Sequence, residues 1–193
     1  MDESCPNCPA LAETRQTVVH GYGDVGADFV FVCEMPDEAA DETGIPFAGH
    51  ERLFDLLSEL GLVDGETDEG PAVDNAYLTY LTRCRHPDRG PTDEEITTCE
   101  PFLNADVRMI NPEILVPVGA RALKEVATEY TTKPADEFDI VSDHATTIRG
   151  RGFELVPMIE PNELTEAQAT AFLECFGELM DSDYRQTKGG RRR

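Results

Sequence analysis

Six cysteines and a run of carboxylates carry most of the chemistry open to this chain. Cys5 and Cys8 form a Cys-x-x-Cys pair near the start, and Cys84 and Cys99 follow in polar surroundings with fourteen residues between them. Four thiolates so disposed can close one tetrahedral sulfur site, and both a structural zinc and a 4Fe–4S cluster suit it; four unrelated cysteines remain the alternative. Cys33, inside an apolar run, and Cys175, on an apolar helical face, read instead as small core residues. The second candidate is Glu34, which directly follows the apolar run Asp28–Cys33. An acid at the carboxyl end of a buried strand stands where open α/β sheets bind ligands. After it come Glu38, Asp41 and Glu42, then the turn Gly44-Ile45-Pro46-Phe47-Ala48-Gly49, in which Pro46 fixes the backbone ahead of an aromatic ring.

The elements needed to hold these residues can be read in order. Thr17–His20 reads as a short strand, and 28–33 as a buried one. Leu53, Leu56, Leu57 and Leu60 recur at helical spacing up to Gly61. Residues 63–75 read as a polar loop with glycine and proline. A second strand, 76–82, ends at Arg83-Cys84-Arg85-His86-Pro87. Thr92 and Glu95 form a capping box opening a helix that carries Cys99 and stops at Asn111-Pro112. A strand at 113–118, a helix around Ala122 to Val126, a polar irregular stretch at 130–147, a strand at 152–159 and a helix from Thr165 to Met180 complete the chain. This alternation predicts an α/β fold, a three-layer α/β/α sandwich around a central four-stranded parallel sheet. Residues 1–183 read as a single domain and 184–193 as a basic flexible tail.

The chain has 193 residues and a formal net charge of -23, with a pI near 4.3. Its 40% hydrophobic content argues for a folded body. An acidic surface of this size suits a protein adapted to high intracellular salt, as in a halophile, where repulsion is screened. No run of about eighteen apolar residues occurs, so no membrane span is expected, and a cytoplasmic monomer is the expectation. The tail, YRQTKGGRRR, holds five basic residues and no acid, a pattern that suits a phosphate-contacting arm or a solubilising end.

The motifs taken together resemble one family. Cys5/Cys8, CEMPD after the first buried strand, GIPFAG, TRCRHP, PTDEEITTC, VPVGARAL and VPMIEP occur in the order found in the uracil-DNA glycosylase superfamily, closest to its iron–sulfur-containing fourth family. The resemblance covers Cys5 to Leu164. It implies a repair enzyme that flips uracil, or another deaminated base, out of DNA and hydrolyses the N-glycosidic bond. It also implies a 4Fe–4S cluster on Cys5, Cys8, Cys84 and Cys99. Glu34 matches the glutamate that handles the attacking water, Asp41 the aspartate of the acidic loop, and Phe47 the ring that stacks on the base. Arg83, Arg85, Arg89, Arg149, Arg151 and the tail's Arg191, Arg192 and Arg193 are the expected phosphate contacts. Two positions in the base pocket depart from the motif. Tyr80 stands where the family carries an asparagine, and Glu160 where it carries a histidine; Cys33 and Asp37 replace glycines. Weak uracil removal is therefore expected. The alternatives are an iron–sulfur DNA-binding relative with an altered pocket and weak or no activity, or a structural zinc protein.

Overall fold

In the computed structural model, residues 3–67 and 70–182 are described. The order is α1 (Pro9–Thr14), β1 (Tyr22–Gly23), β2 (Phe29–Cys33), α2 (Glu38–Thr43), α3 (Glu51–Glu59), β3 (Val63–Thr67), β4 (Gly70–Val73), β5 (Ala76–Tyr80), α4 (Asp93–Ile110), β6 (Ile114–Pro117), α5 (Ala120–Tyr130), α6 (Ile140–Asp143), β7 (Ile148–Arg149), β8 (Glu154–Leu155) and α7 (Glu166–Asp181). The main sheet runs β1-β5-β2-β6-β8-β7. Its four middle strands are parallel, as the alternation predicts. Short antiparallel strands at each edge widen it to six.

β2 lies in the middle of the sheet, and both of its faces are covered. Successive side chains of a strand point to opposite faces. Phe29, Phe31 and Cys33 therefore join one core with the α3 leucines and Phe172 and Phe176 of α7, while Val30 and Val32 join a second core with α4 and α5. The Phe29 and Phe176 rings stand 4.9 Å apart. Full burial of each such side chain stabilises by about 1.5–3 kcal/mol, so β2 is a firmly held segment of the sheet and the mount for whatever follows Cys33. The Thr92 capping box forms as expected, with Glu95 N donating to Thr92 Oγ1 and Thr92 N to Glu95 Oε2. Asn111 ends α4 in the left-handed region, ahead of Pro112.

Four expectations about local structure are corrected. Residues 63–75 contain the antiparallel hairpin β3–β4, in which main-chain pairing outweighs a glycine- and acid-rich composition. The strand expected at Thr17–His20 is absent; the edge strand pairs farther on, at Tyr22 and Gly23. The acidic stretch after Asp37 is the helix α2, because the Asp37 carboxylate accepts from Ala40 N at 2.7 Å and caps it. Within 130–147 a 3₁₀ turn (Ala135–Glu137) and the one-turn α6 interrupt the irregular chain. Among the described residues no helix is long and apolar enough to cross a membrane.

Candidate active site and cysteine centre

The carboxyl ends of the parallel strands gather the first group of candidates. Glu34 follows β2, Tyr80 ends β5, Gly119 follows β6, and Glu160 lies beyond β8, whose line is continued by a bridge between Val118 and Met158. The junction after β2 is tied to the segment after β5, with Leu81 N donating to Cys33 O at 2.8 Å and Thr82 N to Glu34 O at 3.2 Å. The Arg89–Gly90 loop closes over Glu34. A Cβ on Gly90 would lie 3.0 Å from Glu34 Oε1, so a side chain there would push the carboxylate aside. Burial pushes the Glu34 carboxyl above its ordinary value, and the Arg121 guanidinium partly offsets that.

Phe47 was expected as the ring that stacks on the base. The structure shows it buried, with φ 62° in the left-handed region. Its backbone N–H donates to Tyr80 Oη at 2.6 Å, and its ring stacks on the Tyr80 ring at 5.1 Å and 17°. The Tyr80 ring thus covers one face of Phe47, which lies within the larger buried core. The left-handed backbone costs a bulky residue of order 1–3 kcal/mol, and the buried hydrogen bond to Tyr80 helps to offset it. Burial pushes the Tyr80 hydroxyl far above the usual phenol range.

A histidine that the sequence motifs did not single out completes this group. His50 precedes α3. Its Nδ1 is 2.8 Å from Asp37 Oδ2, its Nε2 is 3.8 Å from Glu160 Oε2, and its ring meets Phe47 edge-on at 5.5 Å. Gly49 N also donates to Asp37 Oδ2, at 3.1 Å. Burial pushes Asp37 up, but the hydrogen bonds from His50, Ala40 and Gly49 outweigh it and hold the carboxyl below its ordinary value. Glu160 moves the other way: burial raises it, against a hydrogen bond from Cys33 Sγ to its Oε1 at 3.3 Å. Asp41 lies elsewhere. It is buried, and its oxygens accept from Gln16 N and Thr17 N at 3.0 to 3.3 Å, so it ties the segment after α1 to α2.

The second group is the cysteines. Cys5, Cys8, Cys84 and Cys99 line one small cavity, of about 20 Å³, together with Leu11 and Arg15. α1 brings the first pair in, with Cys8 at its N-cap; the loop after β5 supplies Cys84, and α4 supplies Cys99. Leu11, Val18 and Cys84 make a small apolar cluster that seats α1. Arg15 Nη1 donates to Cys84 Sγ at 3.3 Å. Burial pushes the Cys8 and Cys84 thiols up and the Cys99 thiol up to about 11, and the neighbouring thiols add to each shift. Among the described residues no three His, Cys, Asp or Glu side chains close around a single metal ion. Cys33 is buried in the sheet core and Cys175 is half-buried against it, both apart from this cavity.

The expected phosphate contacts divide. Arg83 is buried and paired with Asp106. Arg89 is bound through both terminal nitrogens to Glu95, at 2.7 and 2.8 Å; these bonds hold Glu95 down at about 2. Arg149 pairs in register with Glu154 at the start of β8, and Arg151 Nη2 donates to Glu129 O near the end of α5. Both therefore lie at the amino ends of the parallel strands, opposite Glu34 and Glu160. Arg85 is partly exposed beside Cys84. Arg191, Arg192 and Arg193 lie outside the described residues.

A profile of the Uracil DNA glycosylase superfamily matches residues 20–181. The chain is 38% identical over 122 residues to a type-4 uracil-DNA glycosylase of Thermotoga maritima, covering 63% of this chain and 59% of that one. It is 30% identical over 153 residues to the type-4 enzyme of Sulfurisphaera tokodaii, covering 78% and 62%. With a type-5 uracil-DNA glycosylase of Pyrobaculum aerophilum it shares 24% identity over 200 residues, covering 92% and 86%. The chain thus spans about six tenths of the length of the two type-4 relatives.

Proposed function

This chain belongs to the uracil DNA glycosylase superfamily, and from that premise we propose that it removes uracil, or another deaminated base, from DNA by hydrolysing the N-glycosidic bond. The observation that carries this reading is the gathering of Glu34, Phe47, Tyr80 and Glu160 where the parallel strands end. Breaking the bond develops positive charge on the sugar and negative charge on the base. Glu34, on the end of β2, orients and deprotonates the attacking water, and its charge offsets that of the sugar. Phe47 packs against the base once the Tyr80 ring moves off its face. Asp41 supports the loop from behind through its backbone contacts.

Cys5, Cys8, Cys84 and Cys99 suit a 4Fe–4S cluster: four thiols line one small cavity, and Arg15 is placed to meet the charge of a thiolate at Cys84. When bound, such a group would tie α1 to α4 and add folding free energy. DNA is the partner. Arg85 and the tail remain as phosphate contacts, whereas Arg83 and Arg89 serve internal ion pairs. The acidic composition supports a working environment of high salt, and residues 1–183 act as one domain.

Tyr80 covers one face of Phe47, and this favours slow turnover or, as a second reading, a relative that binds DNA with a closed pocket. Single-turnover release of uracil from a single strand in high salt separates the two. Slow release that drops at least about a hundredfold in Glu34→Gln supports the enzyme. Strand binding without release of any deaminated base supports the second reading.

A further inference from the structure

Arg52, Arg83, Arg89 and Arg121 each hold a carboxylate. Arg15, which is half-buried, does not. Among the described residues its guanidinium forms no ion pair, in a chain with 39 acidic side chains. Its Nη1 donates instead to Cys84 Sγ at 3.3 Å, in the cavity that the four cysteines line. A cation left without a carboxylate and aimed at a thiol marks a place for negative charge on sulfur. Resting on the 4Fe–4S reading above, we propose that Arg15 is a positioning residue of the cysteine centre: acting through Cys84 Sγ, it raises the potential at which a bound cluster accepts an electron.

The physical reason is charge. A 4Fe–4S cluster on four thiolates is an anion and becomes more negative on reduction. A cation hydrogen-bonded to a ligand sulfur therefore holds the reduced form more strongly than the oxidised one. The walls add to the effect. Leu11 and Phe102 line the same cavity, so little water competes for the guanidinium or screens it. Arg83 also lines it, but Asp106 already offsets that charge.

The backbone presets the position of Arg15. Arg15 N donates to Leu11 O at 3.0 Å and closes α1. Thr14 Oγ1 donates to Arg85 O at 3.2 Å, while Gln16 N and Thr17 N donate to Asp41. The chain on either side of Arg15 is thus tied to the residue after Cys84 and to α2. The step itself is a one-electron couple. A low-potential donor, dithionite in the experiment, loses an electron and the cluster gains it, with no bond made or broken.

The test is a potentiometric titration of anaerobically prepared holoprotein, followed by the electron-spin resonance of the reduced cluster. The natural chain is compared with Arg15→Met and Arg15→Lys at matched iron and sulfide content. At the natural midpoint, the ratio of reduced to oxidised cluster should fall about tenfold in Arg15→Met, a midpoint lower by about 59 mV. Arg15→Lys keeps the charge and should stand closer to the natural value. An Arg15→Met midpoint at or above the natural one overturns the assignment and leaves the cluster reading intact. A natural cluster that accepts no electron at any potential reached in water overturns it as well. A colourless natural protein holding zinc overturns both readings. Should Arg15→Met shed its cluster, the ¹⁵N signals of the Arg15 guanidinium in the natural holoprotein decide. They must carry a hyperfine shift that grows on reduction, and signals at their ordinary positions overturn the role.

Discussion

Among single residues, Tyr80 has the most to do. It satisfies the amide of a strained Phe47 and covers that residue's ring. Tyr80→Phe keeps the stack but strands a buried N–H, so stability in urea should fall by about 1–3 kcal/mol. Tyr80→Asn shortens the side chain and uncovers the Phe47 face, and uracil release should quicken; an unchanged rate would show that the ring does not limit access. Glu34, raised by burial, must be ionised to accept a proton, so the rate should climb with pH through a value above the ordinary carboxylate. Glu160 is also raised, which sets the sign for stability. Its contribution is complete below about 4.5, the unfolded value, and is lost as pH rises through the higher folded value. Glu160→Gln should flatten that loss in urea midpoints taken across the window. That Glu34 stands at the end of a buried strand was legible from the apolar run before it, whereas the burial of Phe47 beneath Tyr80 was not, because the two meet only through the fold. His50 was not: a histidine ahead of a helix looks like a surface residue, and its partners Asp37 and Glu160 are brought to it by a turn and a distant strand rather than by spacing.

Among the elements, the parallel strands and long helices were readable from their periodicity and caps. The hairpin β3–β4 and the helix α2 were not. The hairpin's sequence favours turns and is overruled by cross-strand pairing; α2 forms on an acidic stretch because a single aspartate caps it. At the opening of α4, Thr92→Ala removes a cap and half of the capping box, and should cost about 1 kcal/mol, read as a lower thermal midpoint. The cysteine centre spans α1, the loop after β5 and α4. Serine at Cys5, Cys8, Cys84 or Cys99 should bleach the brown colour expected of a cluster and lower stability. Stoichiometric zinc in a colourless, anaerobically prepared sample would show that a different metal belongs there.

For the whole molecule, charge governs. A net -23 on 193 residues repels itself, so the urea midpoint should rise steeply with salt up to molar concentrations before levelling. The arginines divide between the two ends of the sheet. Arg149→Ala with Arg151→Ala, at the amino ends, should leave strand affinity unchanged, whereas deleting 184–193 should weaken it about equally for all sequences and flatten its salt slope. The sequence gives each arginine's number but not the end of the sheet to which the fold carries it.

The seating of α1 against Cys84 and α4 also bears on how the protein is made. The chain between the first cysteine pair and Cys84 includes β2, the Phe47 turn and α3, and Asp41 binds that stretch back to Gln16 and Thr17. A nascent chain has all four sulfurs only after residue 99 has emerged, by which time the whole base-side half must wait with its ends unjoined. With the proposed cluster as the occupant of that centre, a shortage of iron would leave a polypeptide of normal sequence whose two halves are unlatched, so the supply of a nutrient would set how much folded protein survives synthesis.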